Sequence, residues 1–393
     1  TRVPLEMTKW FDTNYHYLVP EVEAGQDITP APERIVRLVE EAREAGHAVR
    51  PALVGPVTLL ALAKPVEWSL LDKLVDAYAQ VFAALKEAGV EWVQVAEPAL
   101  VADLSTPDAE LAKYTEQAWT KLLAEDNRPN VYVTTPYGSA REGLNALAKV
   151  APEAVHVDLS PWTLDADADY PARVAAAFDG KDTTLVAGLI DGRNVWAADL
   201  RKKVEVLNTI GAASVSTSTS LQHVPHTLNA EKNIPVDVAP WLSFADEKIE
   251  EITALVAGEE NAPEAFGRSD RAVRTRAEST RIHNAAVTDR VAALPSGAVQ
   301  RQPEFAERQQ AQKELGLPAL PTTTIGSFPQ TTEIRKARAD HRNGDLTDEQ
   351  YNEALKTEVK NVIELQERLG LDVLVHGEPE RNDMVQYFAE LLD

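Results

Sequence analysis

Lys9 lies in the stretch "EMTKWFD", where it stands directly before two aromatic residues and an aspartate. A lysine beside aromatic rings at the end of a strand suits a ligand that carries both a negative charge and a flat ring. The same pattern fits a surface lysine next to a tryptophan of the core. The residues alone leave both interpretations open.

A second candidate is the turn formed by Ile325, Gly326 and Ser327 in "TTTIGSFPQ". Glycine lets a ligand approach the backbone and serine adds a hydroxyl, so this turn can donate hydrogen bonds to a carboxylate. An ordinary tight turn would use the same residue types, and this alternative stays open.

Glu378 follows the apolar stretch "VLVHG", at the point where a strand would end. A carboxylate in this position can accept hydrogen bonds from the ammonium group of a substrate. The neighbouring charged residues are His376, Glu380, Arg381 and Asp383. A network of salt bridges within the loop is therefore the alternative interpretation.

Two further pairs of residues are weaker candidates. His223 and His226 in "HVPH" suggest a metal site, but two histidines do not complete one and Pro225 interrupts the helix that would align them. Glu97 and Asp191 have the residue types of paired glycosidase carboxylates. Their spacing in the sequence does not establish that they approach each other.

The composition restricts the class of partner. The chain has 393 residues, a net charge of -23 and no cysteine. Such a surface repels nucleic acid and anionic membranes, so we expect neither of them as a partner. Without cysteine there is no disulfide and no thiolate ligand, which fits a reducing compartment. We expect a cytoplasmic monomer.

Apolar runs rich in β-branched residues alternate with amphipathic helical patterns. Short strands separated by helices predict βαβ units and a parallel sheet. The predicted strands are "EMTKWF", "VRPALVGPV", "EWVQVAE", "NVYVTT", "AVHVDLS", "TTLVAGLI" and "ASVSTS". Seven strands are one short of a (β/α)8 barrel, and an open doubly wound sheet is the competing architecture. The clearest helix is "WSLLDKLVDAYAQVFAALKEAGV", for which Gly89 is a plausible end.

The composition and the predicted secondary structure then change twice along the chain. Residues 258–317 are charged and helical in pattern, which predicts a helical linker. From residue 318 onward a strand pattern returns, followed by the helix "LTDEQYNEALKTEVKNVIELQERLG", the buried strand "LDVLVHG" and a final helix. We therefore expect three parts: residues 1–257, most of one barrel without its first strand; residues 258–317, the linker; and residues 318–393, the first β/α units of a second barrel.

The chain resembles cobalamin-independent methionine synthases over nearly its whole length. The stretches that carry the resemblance are "LEMTKWFDTNYHYLVPE", "LVGPVTLLALAK", "LIDGRNVWAADL", "SLQHVPHTL", "WLSFADEKIEE", "TTTIGSFPQTTEIRKAR" and "VLVHGEPERNDMVQYF". The resemblance implies two (β/α)8 barrels and methyl transfer from 5-methyltetrahydrofolate, in polyglutamate form, to homocysteine. It also implies that Lys9 contacts the folate.

For the amino-acid substrate, the resemblance implies that Ile325, Gly326 and Ser327 form the homocysteine-binding turn and that Glu378 holds its ammonium group. Two positions depart from the family pattern. Ala96 stands where the family usually has Asp, and Thr219 stands where it usually has Cys. The role of that Asp is therefore in doubt, and neither departure affects a residue assigned above.

The family's zinc is held by His, two Cys and Glu late in the second barrel. We therefore expect no metal ligand and no catalytic residue in this chain, and we expect it to be an internal portion of a longer enzyme that is inactive alone. A free thiol is mostly protonated at neutral pH, and zinc binding removes that proton. A non-catalytic binding module for folate or an amino acid is the alternative from a different functional class.

Overall fold

The computed structural model describes residues 4–212, 214–298 and 300–392. The chain divides into two compact units, Thr1–Ala285 and Ala286–Asp393, which we call the first and the second unit. The division falls inside the predicted linker, residues 258–317. Ala213, part of a predicted strand, lies outside the described residues.

The strands of the first unit form a two-stranded hairpin and a six-stranded sheet. They are Met7–Lys9 (β1), His16–Leu18 (β2), Ala52–Val54 (β3), Trp92–Ala96 (β4), Asn130–Thr135 (β5), Ala154–Asp158 (β6), Thr184–Ile190 (β7) and Ser214–Thr217 (β8). The sheet has the order β3-β4-β5-β6-β7-β8, and every neighbouring pair is parallel. Sequential parallel strands with helical crossovers are the arrangement that the sequence pattern predicts.

Ten helices accompany these strands in the described part of the first unit. They are Glu33–Glu44 (α1), Pro56–Ala61 (α2), Leu71–Glu87 (α3), Asp108–Leu123 (α4), Arg141–Val150 (α5), Pro161–Ala166 (α6), Tyr170–Phe178 (α7), Leu200–Ile210 (α8), Ala245–Ala257 (α9) and Pro263–Glu278 (α10). Short 3₁₀ turns lie at Trp68–Leu70, Pro98–Val101, Leu221–His223, Leu228–Ala230 and Ala239–Trp241. The predicted helix end at Gly89 is confirmed, because α3 stops just before it and its φ of 76° is one that glycine adopts without strain.

The two faces of the sheet differ because successive side chains of a strand point to opposite sides. The face toward the helices is apolar and fully buried: Val93, Val95, Val131, Val133, Val155 and Val157 have no exposed surface. The other face carries polar groups. Tyr132 on β5 is in hydrogen-bonding contact with Ser216 on β8, and His156 Nε2 on β6 lies 2.9 Å from the Thr217 carbonyl oxygen. Contacts between strands that are not neighbours require the sheet to curve, so the first unit is a partial (β/α) barrel.

The first predicted strand, "EMTKWF", is not part of this barrel. Its residues Met7–Lys9 form β1, which pairs antiparallel with β2 in a hairpin, with Lys9 opposite His16. The turn is closed by a 2.7 Å hydrogen bond from the Trp10 N–H to the Tyr15 carbonyl oxygen. A partner strand only a few residues away costs little loop-closure entropy, and this local pairing replaced the predicted parallel one.

The second unit contains helices and two strand-like segments. Its helices are Ala285–Ala292 (α11), which begins at the boundary, Phe305–Gln312 (α12), Thr332–Arg342 (α13), Asp348–Leu369 (α14) and Met384–Ala389 (α15), with a 3₁₀ turn at Lys313–Leu315. α14 begins with a capping box in which Thr347 and Gln350 each bond the other's backbone N–H.

The predicted strands of the second unit are not regular strands. "LDVLVHG" and the segment before residue 328 run parallel to each other. Two backbone hydrogen bonds join them: the Val373 N–H donates to the Thr322 carbonyl oxygen (3.0 Å), and the Phe328 N–H donates to the Gly377 carbonyl oxygen (2.9 Å). The prediction that "LDVLVHG" is buried is wrong, since Val373 and Leu374 are each 39% exposed. Two strands without further neighbours lack the ladder and the cover that stabilise a sheet.

Candidate functional site

The turn of the β1–β2 hairpin lies on the loops that follow β5, β7 and β8. Phe11 stacks on Tyr137 with ring centroids 5.6 Å apart, and Asp12 Oδ2 lies 2.6 Å from Arg193 Nη2. The Tyr15 hydroxyl donates a hydrogen bond to the Gln222 carbonyl oxygen at 2.8 Å. These loops leave the carboxyl ends of parallel strands, where barrel enzymes carry their functional groups. The hairpin therefore places Lys9 near the edge of the sheet at which the carboxyl ends of the strands lie.

Lys9 is the last residue of β1 and its side chain is exposed. Within the part of the chain that the structure describes, no carboxylate forms an ion pair with it. Its charge is available to an anionic ligand, which is compatible with the predicted folate contact. That role stays a prediction.

Two aromatic residues of this site have an unusual backbone conformation. Phe11 has φ 52° and Tyr137 has φ 82°, a region that bulky L-residues rarely adopt. The Tyr137 N–H donates to Asp158 Oδ2 at 3.0 Å, and the Tyr137 hydroxyl lies 3.2 Å from His223 Nε2. Such strain persists only where surrounding contacts over-determine it, and it clusters at functional sites.

Glu97 lies directly after β4 and is fully buried. Its carboxylate accepts hydrogen bonds from the Thr58 N–H (2.8 Å) and hydroxyl (2.7 Å), and from the Val57 N–H and Trp119 Nε1 (both 3.3 Å). Burial raises its pKa to about 7 and outweighs the opposing effect of these donors. Gly55 makes room for the group, because a Cβ there would lie 2.1 Å from Glu97 Cδ.

The glycosidase interpretation of Glu97 and Asp191 is not supported by this geometry. The Glu97 carboxylate is enclosed at the start of α2 and cannot reach a solvent-borne sugar. Asp191 accepts from the Arg193 N–H at 2.8 Å and from Asn194 Nδ2 at 2.6 Å, so it shapes its own loop. Both carboxylates serve the backbone around them.

Asp158 at the end of β6 is a residue of this site that sequence reasoning missed. It is 1% exposed, and its Oδ1 accepts from the Ser160 N–H (2.9 Å) and the Thr163 hydroxyl (3.0 Å). Burial raises its pKa, the Ser160 and Thr163 hydrogen bonds oppose the shift, and the nearby Asp191 adds to it. A polar residue at a predicted strand end, in "VHVDLS", was the available signal.

The loop after β7 is held by two charged residues of α9, the buried Lys248 and the partly buried Glu251. Lys248 is 1% exposed and donates to the Trp196 carbonyl oxygen at 3.3 Å, while Glu251 accepts from the Ala198 N–H at 2.9 Å. Burial lowers the pKa of Lys248 and raises that of Glu251, and each partly offsets the shift of the other. The guanidinium of Arg276 on α10 lies 3.6 Å from the Trp196 ring centroid. Because Arg193 lies on this loop, the same contacts help to fix the position of Arg193.

His223 and His226 are not joint metal ligands. His223 contacts the Tyr137 hydroxyl, whereas His226 Nε2 lies 3.8 Å from Asp246 Oδ1. Among residues 4–212, 214–298 and 300–392, no group of three or more His, Asp or Glu side chains is arranged to hold a metal ion. None of the helices in these ranges combines the length and the apolar character that a membrane crossing requires.

The second unit brings the four predicted homocysteine-site residues together. Ser327 and Gly377 form a parallel bridge, and a Cβ on Gly326 would lie 3.5 Å from Glu378 Oε1. The Ile325 side chain is fully exposed beside them. Within the described residues, the backbone N–H groups of residues 325–327 have no protein acceptor. The turn therefore presents free donors next to a carboxylate.

The salt-bridge network predicted as the alternative for Glu378 is also present. Glu378 Oε2 accepts from Arg381 Nε, and His376 Nδ1 lies 3.7 Å from Glu380 Oε2. Asp383 instead caps α15 through the Gln386 N–H at 2.9 Å. Because Arg381 engages only Oε2, the Oε1 oxygen near Gly326 is available to a ligand.

Arg338 on α13 stabilises the loop that carries Glu378. Its Nη2 donates to the Pro379 carbonyl oxygen and to Gln330 Oε1, both at 2.8 Å, and Gln330 in turn donates to the Arg381 carbonyl oxygen at 3.0 Å. Glu378 itself has φ 54°, a strained value that these contacts maintain. Apart from a basic helix after the turn, no local sequence pattern indicated these supporting contacts.

Comparison with known proteins links both units to one family. Residues 1–215 match the model of the cobalamin-independent synthase N-terminal domain, and residues 320–393 match that of the cobalamin-independent synthase catalytic domain. A solved B12-independent methionine synthase from Shewanella sp. W3-18-1, in complex with selenomethionine, covers 70% of this chain at 13% identity with a TM-score of 0.44, and 75% of its own chain is covered.

Similar full-length sequences carry one name. The 5-methyltetrahydropteroyltriglutamate–homocysteine methyltransferase of Rhodococcus jostii is 45% identical over 100% of this chain and 52% of its own length. The protein of that name from Neisseria meningitidis is 42% identical over 99% of this chain and 52% of its own length. The chain spans about half the length of these curated relatives. With a family model covering more than half of its residues, the chain belongs to the cobalamin-independent methionine synthase family.

Proposed function

We propose that this chain contributes the binding groups of a methyltransferase that moves the methyl group of 5-methyltetrahydrofolate polyglutamate to homocysteine, giving methionine in the full enzyme. The names of its relatives support this reaction. The observation that carries the proposal is the position of Gly326 next to Glu378 Oε1 in the second unit. That geometry offers complementary partners for both charged ends of an amino acid.

The homocysteine site follows from the charges of the ligand. Glu378 Oε1 accepts hydrogen bonds from the ammonium group, a charge-assisted contact that is stronger than a neutral one. The free backbone N–H groups of residues 325–327 and the Ser327 hydroxyl donate to the carboxylate. Ile325 offers apolar surface to the side chain of the ligand. This set selects an α-amino acid over a simple thiol.

The folate site of the proposal rests on Lys9. Its ammonium pairs with a carboxylate of the glutamate tail at the edge of the sheet where the strand-end loops meet. A compact, rotatable charge of this kind suits a flexible polyanion better than a planar guanidinium does. Each further glutamate raises the local concentration of carboxylate near Lys9.

The residues described do not fit the zinc that the family resemblance implies. The chain has no cysteine, and no group of three or more potential ligands is arranged for a metal in the described ranges. When bound, zinc supplies deprotonation of the acceptor thiol. The side chains of this chain bind and orient the two substrates, which is a contribution of proximity.

The proposal includes that the 393-residue chain alone does not form methionine. Incubating it with zinc, homocysteine and methyltetrahydrofolate triglutamate, followed by mass-spectrometric detection of methionine, tests this. We expect no product above the protein-free control. Formation of methionine in proportion to the chain would contradict it.

Binding of homocysteine is tested with Glu378→Gln. Loss of the charge-assisted hydrogen bond should weaken binding by about 1.5–3 kcal/mol in calorimetry. Glu367→Gln, a change of the same chemistry on the exposed end of α14, should leave affinity unchanged. Equal affinity of the Glu378→Gln variant and the unmodified chain would refute the assigned role of Glu378.

A further inference from the structure

The hairpin that carries Lys9 is attached to the barrel through its turn and, directly before β1, through the ion pair of Glu6 Oε2 with Lys64 Nζ at 2.7 Å. Phe11, Asp12 and Tyr15 contact three different loops, those after β5, β7 and β8. Lys9 itself makes no ion pair with a described residue. Its position in space is therefore set by the contacts of the hairpin residues on either side of it, and Asp12 provides the charged contact at the turn.

The charged contact in this set is the pair of Asp12 and Arg193. It joins residues 181 positions apart at 2.6 Å, with the Arg193 side chain 27% exposed and that of Asp12 61% exposed. Arg193 is fixed on its own side, because its backbone N–H bonds Asp191 and its guanidinium lies 5.6 Å from the Tyr137 ring centroid. Asp12 neutralises Arg193, whereas Lys9 has no carboxylate partner among the residues that the structure describes.

The stacked pair of Phe11 and Tyr137 gives independent support. Both residues have positive φ values, 52° and 82°, and they meet face to face at an interplanar angle of 23°. Each conformation is costly for a bulky residue, and a stack between two strained residues implies that this junction has to be held in one geometry.

We propose that Arg193 and Asp12 are positioning residues that hold the hairpin so that Lys9 meets the glutamate tail of the folate. This inference rests on the proposed function. The loop after β7, anchored by Lys248, thus determines affinity for a ligand that it does not touch. Arg193 acts through Asp12 and the hairpin, and its effect on binding requires Lys9.

The test is a double-mutant cycle on the 393-residue chain. Calorimetry would measure methyltetrahydrofolate triglutamate and monoglutamate binding to the unmodified chain, Lys9→Ala, Arg193→Gln and the double variant. Lys9→Ala should weaken triglutamate binding about tenfold. Arg193→Gln should weaken it about fivefold, with less effect on the monoglutamate and almost none when Lys9 is already alanine.

Two further variants separate positioning from loss of structure. The charge-swapped pair D12R with R193D should recover most of the triglutamate affinity. Arg281→Gln, which removes an ion pair to Asp237 of 3.1 Å outside the hairpin, should leave binding unchanged. Additive effects of Arg193→Gln and Lys9→Ala, or equal losses for the two folates, would overturn the inference.

A ligand-free measurement distinguishes failure of the inference from failure of the proposed function. The Trp10 and Val19 N–H groups bond the Tyr15 and Glu6 oxygens within the hairpin. Arg193→Gln should speed their hydrogen exchange at least about fivefold. If the unmodified chain binds no triglutamate, the folate proposal fails for this chain, and unchanged exchange would then overturn the positioning role as well.

Discussion

In the first unit the polar groups at the strand ends lie among buried donors of a wide sheet, whereas in the second unit they lie where two strand-like segments share few backbone hydrogen bonds and side chains of the loop complete the support. Glu97 and Asp158 lie among buried donors at the edge of a six-stranded sheet. Around Glu378, two strand-like segments meet at two places. The strand ends are therefore enclosed in the first unit, where the sheet has six strands, and open in the second unit, where only two segments pair.

Burial explains the difference. Strands β4, β5 and β6 place fully buried valines against helices, while the buried hydrophobic side chains of the described second unit are Ile334 and Val362. Its buried Gln366 compensates in part, because its side-chain amide bonds both the N–H and the carbonyl oxygen of Val375. Apolar burial is the dominant favourable term in folding, so we expect the second unit to depend more on local hydrogen bonds.

The largest effect is expected for Glu97→Ala in the first unit. It leaves the buried N–H groups of Val57, Thr58 and Trp119 without an acceptor and should lower the free energy of unfolding by about 4 kcal/mol. Urea denaturation followed by tryptophan fluorescence measures this selectively, because all seven tryptophans lie in the first unit. Glu87→Ala, on the exposed end of α3, should change it by less than about 0.5 kcal/mol. Similar values for both variants would remove the contrast between buried and exposed carboxylates.

The second effect is a pH dependence confined to the first unit. Burial lowers the pKa of His156 from 6.5 to about 4, so the folded state favours the neutral ring. The resulting stability is complete above the unfolded pKa and is lost as pH falls toward 4, by about 3 kcal/mol in total. Comparing urea denaturation of the unmodified chain and His156→Gln over this range isolates the contribution.

A matched histidine controls for general acid effects. His16 on β2 is exposed, and His16→Gln should keep the full pH dependence of the unmodified chain. If His156→Gln loses stability at low pH as steeply as the unmodified chain, then the buried imidazole is not the source.

The smallest change in stability is expected when one valine of each unit is replaced by alanine. Val155→Ala on β6 removes fully buried methyl groups and should cost about 2 kcal/mol, measured by tryptophan fluorescence. Val373→Ala, in the strand-like segment of the second unit and 39% exposed, should cost less than about 1 kcal/mol, measured by hydrogen exchange in α14. Equal costs would show that the second unit has a core as well packed as the first.

Much of the fold follows from local patterns in the sequence. Six of the seven strands predicted for the first unit lie in the parallel sheet, and the helix end at Gly89 is as expected, because periodicity and capping are local properties. The first strand was placed wrongly because alternation does not reveal whether the partner is a neighbouring hairpin strand or a distant parallel one. The linker boundaries remain a prediction, although Phe266 of α10 lies in the core of the first unit.

For the candidate sites, too, some residues were identified from local sequence patterns and others were not. Residue types and strand ends were enough to select Lys9, the turn at residues 325–327 and Glu378. The residues that hold them, namely Asp158, Arg193 and Arg338, were not found. Their partners are distant in sequence, so no local spacing identifies them.

By itself the sequence determined the alternation of strands and helices, the absence of cysteine side chains, and the side chains that offer charge to an amino acid or a folate. Only the tertiary structure decided that Lys9 lies on a hairpin joined to Arg193, and that Glu97 is enclosed. The reason is physical: local propensity acts over a few residues, whereas burial and ion pairing depend on which distant segments the curved sheet brings together.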